Sequence, residues 1–243
     1  MSKRLNKIID WMTAYKEKYN VKGVCLGLSG GKDSTVVAML AKKVFGDNVL
    51  AVLMPNGVQA DIHDSQNIAK ILKLKNTTVN IGPAFNQLIH TCEETGEYEI
   101  SEKSKTNIAP RLRMTTLYGI AQSLGYLVIG TGNLTEYLLG WTTKFGDSAS
   151  DFNPIGHLTC TEVIELGLEL AEDFNLPRQY IVKKPSDGLT GKTDEDNFGF
   201  TYKEADDYIL NGKEGEHISK IKQMINWSVH KRRLPPTPAS GEF

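Results

Sequence analysis

The sequence predicts an α/β fold that is doubly wound, with a mainly parallel sheet and helices on both faces. Two observations lead to this prediction. Short apolar runs alternate with longer amphipathic segments through the first half of the chain, which is typical of parallel strands joined by helices. The 243 residues, of which 40% are hydrophobic, can also bury one substantial core. We therefore expect a single domain over residues 1–236 and a disordered tail over residues 237–243.

Periodicity places the elements in order. Leu5, Ile8, Ile9 and Met12 recur at helical spacing and predict a first amphipathic helix over residues 3–19. The repeating pattern that follows comprises strands at 23–28, 49–54, 77–81 and 126–130, and helices at 34–45, 61–74 and 110–124.

After Gly130 the regular alternation stops. Residues 131–157 are rich in Gly, Thr, Asp and Asn, which predicts functional loops with a short helix near Leu134–Leu139. Residues 183–199 contain a proline, glycines and an acidic run. This composition favours a mobile loop or lid over a packed element.

Two pairs of residues predict the starts of later helices. Thr159 with Glu162, and Thr201 with Glu204, have the spacing of a capping box, in which the two residues satisfy free N–H groups of a helix start. A last helix is expected over roughly residues 215–229, and a basic cluster follows it.

The charge balance disfavours several classes of protein. With 28 basic and 29 acidic side chains the formal net charge is −1, so no global field favours a nucleic acid or an anionic membrane as a partner. No segment is apolar over the length of a membrane span, and polar residues interrupt the basic N-terminus where a signal peptide would be apolar. The three cysteines fit neither a disulfide framework nor a C-x-x-C metal site. A cytoplasmic enzyme is the expected class.

The most informative segment is the loop Ser29–Ser34, which lies between the apolar run Val24–Leu28 and a helix-like run. Its glycines let backbone amides approach an oxyanion, and the helix start adds the positive end of its dipole. Lys32 adds a charge, and Asp33 offers a carboxylate to a metal ion. The loop therefore predicts a phosphate site.

The order of residues excludes two common nucleotide loops. A Walker loop needs glycine where the chain has Leu26 and Ser or Thr where it has Asp33, and the dinucleotide pattern G-x-G-x-x-G is absent. The order S-G-G-x-D-S resembles instead the pyrophosphate loop of the N-type ATP pyrophosphatases, which split ATP between its α- and β-phosphates to adenylate a carbonyl or carboxylate oxygen. A glycine-rich turn that binds nothing is the alternative interpretation.

Further segments resemble one family within that superfamily, the ammonia-dependent NAD synthetases. The resemblance extends from about residue 5 to about residue 236. The segments that carry it read PRLRMTTLY (110–118), GTGNLTE (130–136), TTKFGD (142–147) with DFNP (151–154), KPS (184–186), TDE (193–195) and HKR (230–232).

The resemblance implies a reaction and a set of residues. The nicotinate carboxylate of deamido-NAD attacks the α-phosphate of ATP, pyrophosphate leaves, and ammonia displaces AMP in the last step of NAD biosynthesis. By the family's motifs Asp33 and Glu136 hold Mg²⁺, and Asp33 and Lys144 are the catalytic residues. The implied ATP-binding residues are Gly27, Leu28, Ser29, Gly30, Gly31, Lys32, Asp33, Ser34, Thr131, Cys160 and Ser186.

The same resemblance implies that deamido-NAD binds to Arg111, Lys144, Asp151, His230 and Lys231. Helical geometry agrees on the choice of arginine, because Arg113 falls on the buried stripe of its predicted helix while Arg111 points away from it. Arg113 is expected to brace the structure through a buried ion pair, since arginine is rarely buried without a partner.

One position departs from the family pattern. Many members carry a lysine assigned to ATP where this chain has Cys160. Because a neutral thiol cannot replace a cation beside a triphosphate, we expect either that Lys32, Lys183 or Lys184 compensates or that ATP binds more weakly. A nucleophilic role for Cys160 is not expected, since AMP is the activating group.

The nitrogen source and the assembly also follow from the resemblance. The synthetase segments occupy the 243 residues and leave no room for an amide-hydrolysing domain, so free ammonia is the expected substrate. The resemblance also suggests a homodimer with deamido-NAD near the subunit interface. Two alternatives stay open. One is another N-type ATP pyrophosphatase, GMP-synthase-like or tRNA-thiolating, and the other is a non-catalytic nucleotide-binding relative.

Overall fold

A four-stranded parallel sheet forms the centre of the molecule. The structure, a computed structural model, describes residues 2–58, 62–183 and 193–238, and within these ranges the strand order is β3-β2-β1-β4. The strands are β1 (Val24–Gly27), β2 (Val49–Leu53), β3 (Lys75–Thr78) and β4 (Leu127–Val128). Val24 of β1 pairs with Val49 of β2 on one side and with Leu127 of β4 on the other.

Helices precede, connect and follow the strands. In chain order they are α1 (Lys3–Lys18), α2 (Lys32–Phe45), α3 (Ile62–Ile71), α4 (Gly82–Glu93), α5 (Glu102–Leu124), α6 (Leu134–Leu139), α7 (Cys160–Phe174), α8 (Gln179–Val182), α9 (Asp194–Phe198), α10 (Tyr202–Asn211) and α11 (Ile218–Trp227), with a 3-10 turn at Val229–Lys231. In the described part of the chain, none of these helices has both the length and the apolar character of a membrane span.

The side chains of the strands alternate between two apolar layers. Val24 and Leu26 of β1 belong to the main core, which they share with α1, α2, α3 and α7. Cys25, between them, lies in a second cluster with Ala121 of α5 and Val128 of β4. Because neighbouring residues of a strand face opposite sides of the sheet, helices cover both faces. The predicted doubly wound α/β fold is confirmed.

The predicted helix starts at Thr159 and Thr201 are both present. Thr159 and Glu162 form the reciprocal capping box at the start of α7. Thr201 accepts a hydrogen bond from the Glu204 backbone N–H at 3.2 Å, but the Glu204 carboxylate does not complete the box. It binds instead the backbone N–H of His217, at 2.9 Å, and so links α10 to the start of α11.

Two helices extend beyond the predicted elements. No helix is predicted from the sequence at α4, and α5 begins at Glu102 rather than at residue 110. Pro110 lies inside α5 and was taken as its start, because proline lacks the N–H that a helix interior uses. Ser101 is the actual N-cap, and its hydroxyl accepts from the Ser104 N–H at 3.2 Å.

The segment predicted as a mobile loop or lid, residues 183–199, is in part a packed element. Residues 184–192, including Ser186, lie outside the described residues, as do residues 239–243 of the predicted tail. The acidic residues that follow Thr193 form α9, which starts with a capping box between Thr193 and Asp196. Phe198 at its end is 1% exposed. The prediction was therefore wrong for α9, because acidic residues also favour the first turn of a helix.

Candidate active site

Two loops leave the carboxyl edge of the sheet at the point where the strand order changes direction. The chain passes from β1 to β2 on one side, whereas β4 lies on the other side of β1. The loops after β1 and β4 therefore diverge and leave a crevice between them, which is the usual ligand position in parallel α/β sheets. Ser29–Ser34 follows β1, and Gly130–Glu136 follows β4.

The loop Ser29–Ser34 is shaped by its own hydrogen bonds. The hydroxyls of Ser29 and Ser34 lie 3.0 Å apart, and Ser29 Oγ accepts from the Gly31 N–H at 3.2 Å. Gly30 has φ +84°, in the left-handed region, and a Cβ at this position would lie only 3.2 Å from Asp64 Cβ. The first N–H groups of α2, directly after this turn, have no partners within the helix, so the arrangement suits an anion.

Asn133 connects the two acidic side chains that were predicted to hold a metal. Its side-chain Nδ2 donates to Asp33 Oδ1 at 3.0 Å. Its backbone N–H donates to Glu136 Oε2, and its Oδ1 accepts from the Glu136 N–H, both at 3.0 Å. Asn133 is fully buried. The sequence alone did not single out Asn133 as a site residue, although the spacing Asn-x-x-Glu is itself a helix-cap signal.

A buried ammonium lies beside these acids. Lys32 Nζ contacts Asp33 Oδ2 at 2.7 Å, and Lys32 is 3% exposed. Burial alone would lower the Lys32 pKa, but Asp33, Cys160 and Glu136 raise it above its usual value, so the side chain is charged. Burial and the neighbouring Asp33 raise the pKa of Glu136 to about 8, and Lys32 acts in the opposite direction.

Cys160 begins α7 next to the Lys32 ammonium. Its backbone N–H donates to Thr135 Oγ1 at 3.0 Å, and burial raises the pKa of its thiol to about 12. A raised pKa disfavours the thiolate, which supports the expectation that Cys160 is not a nucleophile. Of the lysines that were expected to compensate for Cys160, Lys32 is its neighbour, Lys183 contacts Asp64 at 2.7 Å, and Lys184 lies outside the described residues.

Asp206 holds the starts of α6 and α7 together. Its carboxylate accepts from Thr135 Oγ1 at 2.5 Å, from Thr161 Oγ1 at 2.6 Å and from the Thr161 N–H at 2.8 Å. Asp206 is 2% exposed. Because Thr135 is adjacent to Glu136, this carboxylate also fixes the helix that carries the second acid. Nothing in the local sequence of α10 indicated this role.

We expect Asp206→Ala to lower the free energy of unfolding by about 3 kcal/mol, because two hydroxyls and one N–H lose a buried charged acceptor. Asp207→Ala is the matched control. Its carboxylate meets Lys203 and Lys213 at the surface, where ion pairs contribute little. Urea unfolding of both variants measures the difference. Equal destabilisation of the two variants would contradict the role given to Asp206.

A second group of predicted residues gathers around Lys144. Its Nζ donates to the His230 carbonyl at 2.8 Å. The Nε and Nη2 atoms of Arg111 each lie 3.4 Å from the Lys144 carbonyl oxygen. Arg111 is exposed, as helical geometry predicted. The structure thus brings together three of the residues that the resemblance assigns to deamido-NAD.

Lys231 and the neighbouring Arg232 tie the end of the chain to α6. Lys231 Nζ donates to the carbonyls of Gly140 and Thr142, at 2.7 and 2.8 Å. Arg232 Nη1 donates to the Tyr137 carbonyl at 3.1 Å. Cations that satisfy free carbonyls at a helix end stabilise it, so both side chains have a structural role at this place.

Asp151 and Arg113 have backbone partners that the sequence did not indicate. Asp151 Oδ2 accepts from the Val128 N–H at 2.7 Å, so the carboxylate closes the end of β4. Arg113 Nε donates to the Met54 carbonyl at 3.0 Å. Among the described residues this hydrogen bond stands in place of the expected ion pair of Arg113. Burial lowers the pKa of Arg113, and the nearby charge of Asp147 acts in the opposite direction. Thr131 lies three positions after Val128, the last residue of β4.

Known proteins resemble the chain over nearly its whole length. A family model described as NAD synthase matches residues 4–235. The NH(3)-dependent NAD(+) synthetase of Carboxydothermus hydrogenoformans is 42% identical over 238 residues, which cover 97% of this chain and 96% of that protein.

Solved structures also resemble this chain over nearly its whole length. The NMN synthetase from Francisella tularensis has a TM-score of 0.86 at 35% identity and covers 97% of both chains. The NH3-dependent NAD synthetase from Campylobacter jejuni, solved in complex with the nitrate ion, has a TM-score of 0.75 at 30% identity and covers 98% of this chain and 100% of that chain.

Proposed function

The chain belongs to the NAD synthase family, and from this premise we propose how its residues carry out the reaction. The protein is a carbon–nitrogen ligase that amidates deamido-NAD with ammonia at the expense of ATP and forms NAD. In the first proposed step of the reaction, the nicotinate carboxylate of deamido-NAD attacks the α-phosphate of ATP, and pyrophosphate leaves. Ammonia then displaces AMP from the adenylated carboxylate. The chain is 42% and 40% identical to two NH(3)-dependent NAD(+) synthetases over 97% and 96% of its length, which argues against the GMP-synthase-like and tRNA-thiolating alternatives.

The observation that carries this proposal is the junction of Asp33, Asn133 and Glu136 beside the loop Ser29–Ser34. A carboxylate approaches a triphosphate only where the negative charge of both is offset. The loop amides, the N-terminus of α2 and the Lys32 ammonium supply positive charge on one side of the crevice. The two acids on the facing loops provide a place for a metal ion.

Magnesium fits this junction. Mg²⁺ prefers oxygen ligands and binds through one or two carboxylates together with phosphate oxygens and water. Asp33 and Glu136 are two such carboxylates, linked through Asn133. Over residues 2–58, 62–183 and 193–238, no cluster of three His, Cys, Asp or Glu is preassembled as a metal site. We therefore assign Mg²⁺ to Asp33 and Glu136, where it would neutralise charge on the phosphates.

We assign ATP to the carboxyl edge of β1 and β4. The residues for this role are the loop residues Gly27, Leu28, Ser29, Gly30, Gly31, Lys32, Asp33 and Ser34, together with Thr131 and Cys160. Ser186 has the same assignment from the sequence alone. Support comes from the left-handed turn at Gly30 and from the free N–H groups at the start of α2.

We assign deamido-NAD to the region of Lys144. The contacts that run from Arg111 through Lys144 to His230 support this assignment. Asp151 and Lys231 complete the proposed set, although both side chains also bind backbone groups. A cation at Lys144 would offset the negative charge that develops on the acyl-adenylate when ammonia attacks it, which is the catalytic role proposed for Lys144.

We further propose a cytoplasmic homodimer. Helix α5 is 23 residues long, yet Ala121 is the only one of them that is fully buried, and Leu88 of α4 and Leu124 of α5 are 42% and 49% exposed. The surface formed by α4 and α5 thus exposes apolar side chains that a second copy of the chain could bury. The free cysteines Cys25, Cys92 and Cys160 are compatible with a reducing compartment.

A second substrate is suggested by the NMN synthetase with a TM-score of 0.86. It is nicotinate mononucleotide, the carboxylate that corresponds to NMN. Both substrates present the same nicotinate group, so only the recognition of the adenylate half of deamido-NAD separates them.

One assay tests both candidates. The purified protein is supplied with Mg-ATP, ammonium and either deamido-NAD or nicotinate mononucleotide, and the pyridine product, AMP and pyrophosphate are quantified. We expect NAD from deamido-NAD with equal amounts of AMP and pyrophosphate, and a lower kcat/KM for the mononucleotide. A preference for the mononucleotide would favour the second candidate. Absence of product from both would contradict the enzyme assignment and favour a non-catalytic relative.

A further inference from the structure

Lys32 contacts a carboxylate that the proposed metal site requires. Its Nζ lies 2.7 Å from Asp33 Oδ2, while Asp33 Oδ1 accepts from Asn133 at 3.0 Å. Both oxygens of Asp33 therefore have protein partners. A divalent cation bound to Asp33 would be repelled by the positive charge of Lys32, so the two cations compete for one carboxylate.

The surroundings of Lys32 keep its charge inside the protein. The Lys32 and Asp33 side chains are 2% and 16% exposed. The ammonium also lies 5.5 Å from the centre of the Tyr202 ring, and Tyr202 Oη is fixed by a hydrogen bond of 2.8 Å to Asp194 Oδ2. A carboxylate and an aromatic face both offset the hydration that a buried ammonium loses. Asp33 and Tyr202 supply these two partners.

Within the described residues, the Lys32 ammonium uses one of its N–H donors. A lysine carries three N–H donors, and Asp33 is the acceptor that the described residues provide. Lys32 is the first residue of α2 and belongs to the loop Ser29–Ser34. Its ammonium is thus held at the helix start that the proposed function assigns to phosphate oxygens.

We propose that Lys32 is an internal counter-ion that neutralises Asp33 in the metal-free site. When a divalent cation binds Asp33, the Lys32 ammonium donates its hydrogen bonds to the phosphate oxygens of ATP instead. This inference rests on the proposed function. Lys32 therefore has two opposite effects on affinity. It weakens the binding of the metal ion in the absence of nucleotide, and it strengthens the binding of ATP. The folded, ligand-free enzyme therefore avoids an uncompensated carboxylate at Asp33.

The test is a pair of binding measurements on Lys32→Met. Mn²⁺ binding without nucleotide is followed by electron paramagnetic resonance, and Mg-ATP binding by calorimetry. We expect Mn²⁺ to bind about tenfold more tightly, because the competing ammonium is gone, and Mg-ATP to bind about tenfold more weakly. Lys42→Met is the matched control, since Lys42 lies on the same helix and contacts Asp47 at 2.8 Å, away from the loop. It is expected to change neither affinity.

Unchanged or weaker Mn²⁺ binding in a folded Lys32→Met protein would overturn the inference, and so would unchanged Mg-ATP binding. If Lys32→Met does not fold, Lys32→Gln takes its place with the same expectations, because Gln keeps a donor for Asp33 without the charge. The Mn²⁺ measurement needs no turnover. A wild-type enzyme that forms no NAD would therefore contradict the proposed function while leaving this test informative.

Discussion

Asp33→Asn is expected to lower kcat for NAD formation about a thousandfold while changing the affinity for deamido-NAD less than about threefold. Asp33 is one of two carboxylates assigned to Mg²⁺, and an amide oxygen is a poorer ligand for a hard cation. The substitution also leaves Lys32 buried without its ion-pair partner. The deamido-NAD residues around Lys144 are separate from this contact, so binding of that substrate is expected to persist.

Steady-state kinetics with deamido-NAD and ATP varied in turn measure the effect, together with equilibrium binding of deamido-NAD. Asp47→Asn is the matched control. Asp47 contacts Lys42 at the other end of α2 at 2.8 Å, much as Asp33 contacts Lys32 at its start at 2.7 Å. The control is expected to keep wild-type kcat. Comparable losses of kcat and of deamido-NAD affinity in Asp33→Asn would contradict the role assigned to Asp33.

Asn133→Ser is expected to lower kcat between about tenfold and a hundredfold, the usual cost of removing a group that orients metal ligands. Asn133 donates to Asp33 Oδ1 and contacts Glu136 through two further hydrogen bonds. Serine is an equally good helix N-cap, so α6 keeps its start. Its shorter side chain does not reach Asp33, which then loses its orientation.

Asn133→Ala separates the two roles of this residue. Alanine removes the cap as well as the contact to Asp33, so we expect a further loss of about 1 kcal/mol in the free energy of unfolding relative to Asn133→Ser. The two variants are expected to have similar kcat values. A Ser variant with wild-type kcat would show that Asn133 serves only as the cap of α6.

Much of the fold could be predicted because its signals are local. The alternation of apolar runs and amphipathic segments predicts the α/β class, and the apolar run before Ser29–Ser34 and the helix-like run after it correspond to β1 and α2. The cap at Thr159 depends on residues three apart. The helix α5 was shortened because Pro110 signals a break, whereas the structure accommodates it within the helix.

The connections within the site could not be predicted in the same way. Asn133 contacts an acid 100 positions away, and Asp206 contacts Thr135 from 71 positions away. No periodicity specifies such contacts, which exist only after the sheet has brought the loops of β1 and β4 together. The same reason applies to Arg113, since helical geometry predicts that it faces the interior but its partner, the Met54 carbonyl, lies 59 positions away, directly after β2.

The fate of the carboxylate oxygen tests the proposed chemistry most directly. Deamido-NAD labelled with oxygen-18 in its nicotinate carboxylate is converted with Mg-ATP and ammonium, and AMP and pyrophosphate are analysed by mass spectrometry. Attack of the carboxylate on the α-phosphate leaves one labelled oxygen in AMP and none in pyrophosphate. Unlabelled AMP, or label in pyrophosphate or orthophosphate, would contradict adenylation of the carboxylate at the Ser29–Ser34 loop.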